Sequence, residues 1–465
     1  MENLTAKELM EKLSYKKTNV YENATPEKIN EIYEYSKGYM KYLDNCKTER
    51  EATNVTIEMA RENGFSEYKF GDELKVGDKR YFNNDGKCLI LFTVGTADLE
   101  KCGIRIVASH IDCPRLDLKQ VPLYEDSGMG FLKTHYYGGV KKYQWTAIPL
   151  SLHGVMVKAD GEVVEVKIGE DDTDPVFYIN DLLPHLAAKQ SQEPLGTAIS
   201  GEALNILVGG LPYADDDISD KIKLTVLSML NEKYGVTEED FLSAELSLVP
   251  AFKARDIGFD RAFIGAYGHD DRVCSYPAVT ALFDNADTEN TVMVVLADKE
   301  EIGSVGLTGM QSDVLVDVIS EISSALGKNQ IVVRSNSVCL SADVTAAFDP
   351  NFAEVYEKRN SAMVSCGTCM SKFTGSRGKA GTNDASAELV GYVRKLFKEN
   401  DVIWQTAELG KIDVGGGGTV AQYISKHNIE TVDIGVPVIS MHAPYEVVSK
   451  ADVYETYKAF KAFIK

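Results

Sequence analysis

The sequence predicts an α/β chain built on an open, mixed β-sheet flanked by helices, and three observations carry that expectation. Short, β-branched-rich apolar runs alternate with helix-like segments before about residue 120 and again after Pro250. Four of these runs stop at a histidine or a carboxylate. Between them, residues 121–250 change texture to alternating segments such as GEVVEVKIG with Gly/Asp turns, the mark of a β-rich module. The expected organisation is therefore a discontinuous catalytic domain, 1–120 and 251–465, interrupted by an insert at 121–250.

Taken in order, residues 1–60 read as two amphipathic helices, with Leu9, Met10 and Leu13 and then Ile29, Ile32 and Tyr33 at helical spacing. Strands dominate from about 80 to 120, where GIRIVAS (103–109) runs into His110-Ile111-Asp112. The insert closes with a helix-like stretch, ISDKIKLTVLSMLNEKYG. Beyond it, Asp270 lies in a turn before a helix, NTVMVVLAD (290–298) runs into Lys299-Glu300-Glu301, and SVCLSA (337–342) runs into Asp343. TVDIGVPVIS (431–440), broken by Gly and Pro as a strand near a sheet edge can be, delivers Met441-His442.

Composition limits the possibilities. The 465 residues, 44% hydrophobic, can bury a large core, and 70 Asp+Glu against 49 Lys+Arg give a formal charge of -21. Such a surface disfavours nucleic acid and anionic membranes. No 18-residue apolar stretch is present and the polar N-terminus lacks a signal-like core, so a soluble cytoplasmic protein is expected. Eight dispersed cysteines fit a reducing compartment. Cys366 and Cys369 form a local pair without a second pair to complete a zinc knuckle and without a thioredoxin-like pattern around them, which leaves their role open.

In an open α/β sheet, residues beyond the carboxyl ends of the strands converge on one crevice. His110, Asp270, Glu300, Glu301, Asp343 and His442 would meet there, and histidines with carboxylates describe a two-metal hydrolytic centre. Residues i and i+2 of an extended strand point the same way, so His110 can bind metal while Asp112 fixes its imidazole. Adjacent glutamates can divide labour only in a turn, one ligating and the other acting as base. Asp270 is the natural carboxylate to bridge ions about 3.5 Å apart, and water shared by the two becomes a hydroxide nucleophile near neutral pH.

The order His110-x-Asp112, Asp270-Asp271, Glu300-Glu301-Ile-Gly-Ser, Ser341-Ala-Asp343 and Met441-His442 resembles metallopeptidase family 18, the aspartyl and vacuolar aminopeptidase group. SHIDCPRLDLK (109–119), YYGG (136–139), LPHLA (183–187) and SADVTAA (341–347) extend the likeness over nearly the whole chain. The resemblance implies a zinc-exopeptidase-like fold whose β-rich insert is a dimerisation domain, and an aminopeptidase acting on peptides. It implies two zinc ions per subunit, one on His110 and Asp343 and the other on Glu301 and His442, with Asp270 bridging, Glu300 as base and Asp112 orienting. His-plus-carboxylate sites also accept cobalt or manganese. It further implies dimers assembled into a dodecamer, with His185 of LPHLA reaching across the dimer into the neighbouring site.

The chain departs from aspartyl aminopeptidases at VKKYQWTAIPLS (140–151), in lacking a histidine within SADVTAAFDPN, and in the Ala-Pro-Tyr-Glu that follows His442. The preferred N-terminal residue is therefore open among acidic, neutral and basic. A related two-metal amidohydrolase or carboxypeptidase is the alternative enzyme, against which LPHLA and YYGG argue. A non-catalytic shell protein would have lost a ligand or the base, and all are present. His135, His153, His269 and His427 read as surface or core residues, Gly415–Gly418 as a tight turn lining the cleft, and Lys379 as a contact for a substrate carboxylate or main chain.

Overall fold

The computed structural model describes residues 4–215, 217–285 and 287–465, which form three sheets. Four strands, Thr291–Ala297, Ile104–His110, Val338–Ser341 and Glu430–Gly435, lie side by side and all parallel in the middle of a nine-stranded sheet. Their carboxyl ends therefore share one edge. Alternation of side chains makes this layer two-sided. Val292, Val294 and Leu296 enter one core with the helices His269–Asp284 and Lys450–Ile464, whereas Met293, Val295 and Ala297 enter a second core with the helix Val314–Ala325.

The run at 431–440 does not form an edge strand. Residues Glu430–Gly435 sit between Val338–Ser341 and Thr368–Ser371, and the chain then turns so that Pro437–Ile439 joins a separate five-stranded sheet. Gly435 marks the crossing because a Cβ there would lie 1.6 Å from the Asp343 carbonyl oxygen, so only glycine permits the two strand ends to touch.

Residues Arg115–Pro250 supply every strand of a seven-stranded sheet whose partners are all antiparallel, with the helix Lys221–Tyr234 packed on it. Its first strand spans Arg115–Asp126, so residue 120 falls inside a strand rather than in a linker. The N-terminal region holds three helices rather than two, Ala6–Leu13, Pro26–Asn45 and Glu49–Glu62. The extra break follows from a capping box in which Thr48 and Glu51 satisfy each other's backbone N–H groups. Helix Ala6–Leu13 buries none of its residues. Among the described residues no helix is long and apolar enough to cross a membrane.

A buried polar latch ties the helix Glu49–Glu62 to the seven-stranded sheet. His153 Nδ1 lies 2.8 Å from Glu51 Oε1 and its Nε2 lies 3.2 Å from Glu170 Oε1. Lys167 and Lys253 flank the two carboxylates, and Lys47 Nζ donates to the Phe252 carbonyl at 2.6 Å. Burial opposes charge on His153, but its bonds to Glu170 and Glu51 outweigh it and raise the imidazole pKa. Both carboxyls, also against their burial, are held at about 2, chiefly by the His153 bond. The imidazolium contributes fully below its ordinary 6.5 and loses its contribution as pH rises through the raised value. The carboxylates contribute fully above their ordinary 4.5 and lose it as pH falls toward about 2. His153→Ala should accordingly cost about 3 kcal/mol, the scale of breaking a buried pair. The difference in denaturant midpoint from the native chain should be largest between pH 4.5 and 6.5 and shrink on either side. A difference that stays flat with pH would show that the latch carries no charge.

Candidate metal centre

His110, Glu300, Glu301 and Asp343 stand at the shared edge of the parallel strands, and Asp270 and His442 are brought to them from the five-stranded sheet. Asp270 opens the helix His269–Asp284 in an extended conformation, and its peptide bond to Asp271 is cis. Its two oxygens divide between the histidines. Oδ1 is 3.2 Å from His110 Nε2 and Oδ2 is 3.1 Å from His442 Nε2. Asp343 Oδ1 lies 3.8 Å from the same His110 nitrogen, and Glu301 Oε1 lies 3.4 Å from the same His442 nitrogen.

The surrounding bonds fix these groups. Asp112 is fully buried. Its Oδ1 accepts the Glu300 N–H at 3.1 Å and lies 3.3 Å from His110 Nδ1, while Oδ2 accepts the Glu301 N–H at 3.2 Å and the Tyr137 hydroxyl at 2.8 Å. The glutamates lie in a 3-10 turn bracketed by left-handed Lys299 and Gly303, not in an extended strand. His442, itself left-handed at φ 65°, is held through its N–H by Glu446 Oε1 at 2.7 Å, and the other Glu446 oxygen takes the Asp270 N–H at 3.1 Å. The far nitrogen of His442, Nδ1, meets the Gly139 carbonyl at 2.9 Å. A side chain on Gly138 would press within 3.2 Å of Glu301 and one on Gly139 within 3.1 Å of His442, which explains the paired glycines of YYGG.

Negative charge dominates. Burial, then Asp343, pushes the Glu300 carboxyl up to about 8, while burial, then Asp270, raises Glu301 and burial raises Asp343. Against its own burial, His442 is held at about 10 by Asp270, and His110 is raised by Asp112, Asp270 and Asp343. Asp271 joins the cluster, accepting the His110 N–H at 3.4 Å, and burial with Asp343 keeps its carboxyl above the usual range. Oxygens of Asp270, Asp271 and Glu301 are buried without a hydrogen bond, although the imidazole nitrogens are near. Donor atoms of His110, Asp270 and Glu301 lie within 4.8 Å of one another, as do those of His110, Asp271 and Asp343. Carboxylate oxygens without a hydrogen bond, gathered around two imidazole nitrogens, are the hard-oxygen and imidazole donor set that divalent cations take, so the residues fit such ions.

Asp270, Glu300, Glu301 and Asp343 open into a cavity of about 430 Å³ lined further by Thr345, Phe373, Thr419, Tyr423, Met441 and Gly416–Gly418, with no lysine or arginine among the described residues of its wall. A larger cavity of about 500 Å³ lies under the helix Lys221–Tyr234, but its wall is almost wholly apolar and gathers no chemistry. Lys379 is outside the acidic cavity, paired with Asp384 at 2.7 Å and 3.9 Å above the ring of Phe373. His185 is exposed in the 3-10 turn Pro184–Leu186 and does not line it either. His269 is a neutral core residue held near 3 by burial, between Tyr39 and the Ile264 carbonyl. Cys366 and Cys369 are buried free thiols, and Cys369 touches the cavity. Sequence reasoning missed Tyr137 and Glu446, and only the Tyr-Tyr-Gly-Gly and His-Ala-Pro-Tyr-Glu contexts pointed toward them.

The family model for aminopeptidase I zinc metalloproteases of family M18 matches residues 42–464. A probable M18 family aminopeptidase 1 of Clostridium acetobutylicum is 46% identical over 454 residues, covering 96% of this chain and 97% of that protein. The crystal structure of an M18 family aminopeptidase from Thermotoga maritima is similar with a TM-score of 0.93 at 40% identity, covering 97% of this chain and 100% of the other. That of aminopeptidase I from Clostridium acetobutylicum gives 0.91 at 43%, with the same coverage.

Because Asp270 alone among the described residues lies within ion-pair distance of both imidazoles, Asp270→Ala should drop bound divalent metal from two ions per chain toward none, read by elemental analysis after gel filtration. Two tightly held ions in that variant would place the bridge elsewhere, with Asp271 the first suspect.

Proposed function

The chain belongs to the M18 family of aminopeptidase I zinc metalloproteases, and on that premise we propose how its residues divide the hydrolysis of an N-terminal peptide bond. His110 and Asp343 would hold one zinc and Glu301 and His442 the other, with Asp270 shared between them. The observation that carries this reading is the split of the Asp270 carboxylate, 3.2 Å from one imidazole and 3.1 Å from the other. When bound, two zinc ions supply Lewis acidity toward the scissile carbonyl and acidify water. Glu300 sits beside the ligands without an imidazole of its own, and takes the proton of the attacking water and returns it to the departing amine. Asp112 keeps the His110 ring and the Glu300-Glu301 turn in register.

Among the described residues the wall offers no lysine or arginine to pair with an acidic N-terminal side chain, which disfavours such a substrate. Neutral or basic N-terminal residues are therefore the proposed substrates. Lys379, beside Phe373 at the rim, is assigned to the substrate main chain or carboxylate.

Residues 115–250, the span of the seven-stranded sheet, form the inserted module through which copies pair, with 1–114 and 251–465 as the catalytic unit. Leu182, Leu183, Leu186, Leu195, Leu211 and Tyr213 of this module are all exposed, more apolar surface than single scattered residues present. Pairing there would cover them and put His185 against a neighbour's cavity, and such dimers would build the dodecamer. Eight free thiols accord with a cytoplasmic setting.

Glu300→Gln should keep two metals and lower turnover of aminoacyl nitroanilides by about a hundredfold or more, the size of a general-base loss. Near-native turnover would remove Glu300 from the role. Native activity on N-acyl amino acids instead of aminoacyl nitroanilides would favour the amidohydrolase alternative.

A further inference from the structure

Tyr137 is the last residue of the strand Met129–Tyr137, in the seven-stranded sheet, yet its hydroxyl crosses to the catalytic edge and donates to Asp112 Oδ2 at 2.8 Å. Asp112 is fully buried and does not line the acidic cavity. Its Oδ2 has two donors, Tyr137 and the Glu301 N–H, so the phenol supplies half of what holds that oxygen. The other oxygen holds the Glu300 N–H and faces His110. Asp112 thus meets the His110 ring through its main-chain carbonyl at 3.0 Å and its carboxylate at 3.3 Å, the carboxylate also holds the backbone of both glutamates, and Tyr137 sets that carboxylate's orientation.

The ring of Tyr137 is itself fixed. Arg115, its cross-strand partner, places its guanidinium 4.0 Å from the ring centroid. Arg115 is anchored in turn by Glu49 at 2.9 Å and Asp117 at 2.8 Å, and Glu49 begins the helix Glu49–Glu62. A continuous chain of contacts therefore runs from that helix through Arg115, Tyr137 and Asp112 to His110 and the glutamate turn.

We infer that Tyr137 is a positioning residue of the metal centre, contributed by the insert, which sets the metal affinity and the placement of Glu300 through the bond from its hydroxyl to Asp112. The inference rests on the assignment of His110 and Glu301 as ligands and Glu300 as base. Tyr137 touches neither substrate nor metal, and acts only through Asp112.

Tyr137→Phe deletes the hydroxyl and keeps the ring under Arg115. In competition with a chelator its zinc dissociation constant should rise roughly tenfold or more, the usual effect of losing a partner behind a ligand. With zinc saturating, kcat should fall by a similar factor while KM stays within about twofold, because the hydroxyl does not contact substrate. The visible spectrum of the cobalt-substituted variant should differ from that of the native protein, a change that a loss of general stability would not produce. His110→Ala and Glu301→Ala are measured in parallel. If each loses bound metal while Tyr137→Phe keeps native zinc affinity, cobalt spectrum and kcat, the inference is overturned and the ligand assignment stands. If either keeps both metals, the ligand assignment fails and takes this inference with it.

Discussion

Six carboxyl groups crowd two imidazoles at one sheet edge, and the electrostatic cost of gathering them is the constraint to which the rest of the molecule answers. Asp112, Asp270, Asp271, Glu300, Glu301 and Asp343 come from four separate stretches of chain, and an ionised group taken out of water costs several kcal/mol. The chain's own donors satisfy Asp112 and leave oxygens of Asp270, Asp271 and Glu301 without a partner. Mutual repulsion and burial show in the raised carboxyls of Glu300, Glu301, Asp271 and Asp343. Two divalent cations offset four negative charges in one place, which no set of lysines could do within that space.

Holding such a cluster together demands rigidity from elsewhere. The parallel strands supply it by burying apolar side chains on both faces, so their ends cannot drift apart without opening two cores. Glu446 then clamps the backbones of Asp270 and His442 to each other. The seven-stranded sheet is also part of the arrangement. It lends Tyr137 to Asp112 and the Gly139 carbonyl to His442, while His153 and Lys47 secure it to the N-terminal helices.

Much of this was legible in the sequence because strand ends are local events. The runs before His110, Glu300 and Asp343 are continuous, β-branched and bounded by polar residues, and they fold as the pattern predicts. The glutamate pair reads as a turn for the same reason. What escaped depends on long-range partners. The Gly and Pro in 431–440 looked like edge signals, whereas Gly435 is there for the close approach of Asp343 and Pro437 for a change of sheet. Glu446 acts on backbone N–H groups, one of them 176 residues away, which leave no trace in side-chain patterning. Tyr137 reads as an ordinary strand residue until the sheet is placed against Asp112. The helix break at Cys46–Thr48 was available from the Thr-x-x-Glu capping box and was hidden by the apolar periodicity on either side.

If the Asp270 carboxylate is shared by two cations held by opposite pairs of ligands, anomalous diffraction from crystals of the zinc-loaded protein, collected on either side of the zinc edge, should show two peaks per chain. One should lie against His110 and Asp343 and the other against Glu301 and His442, with Asp270 contacting both. A single peak, or a second peak held by Asp271 without Asp270, would contradict that sharing.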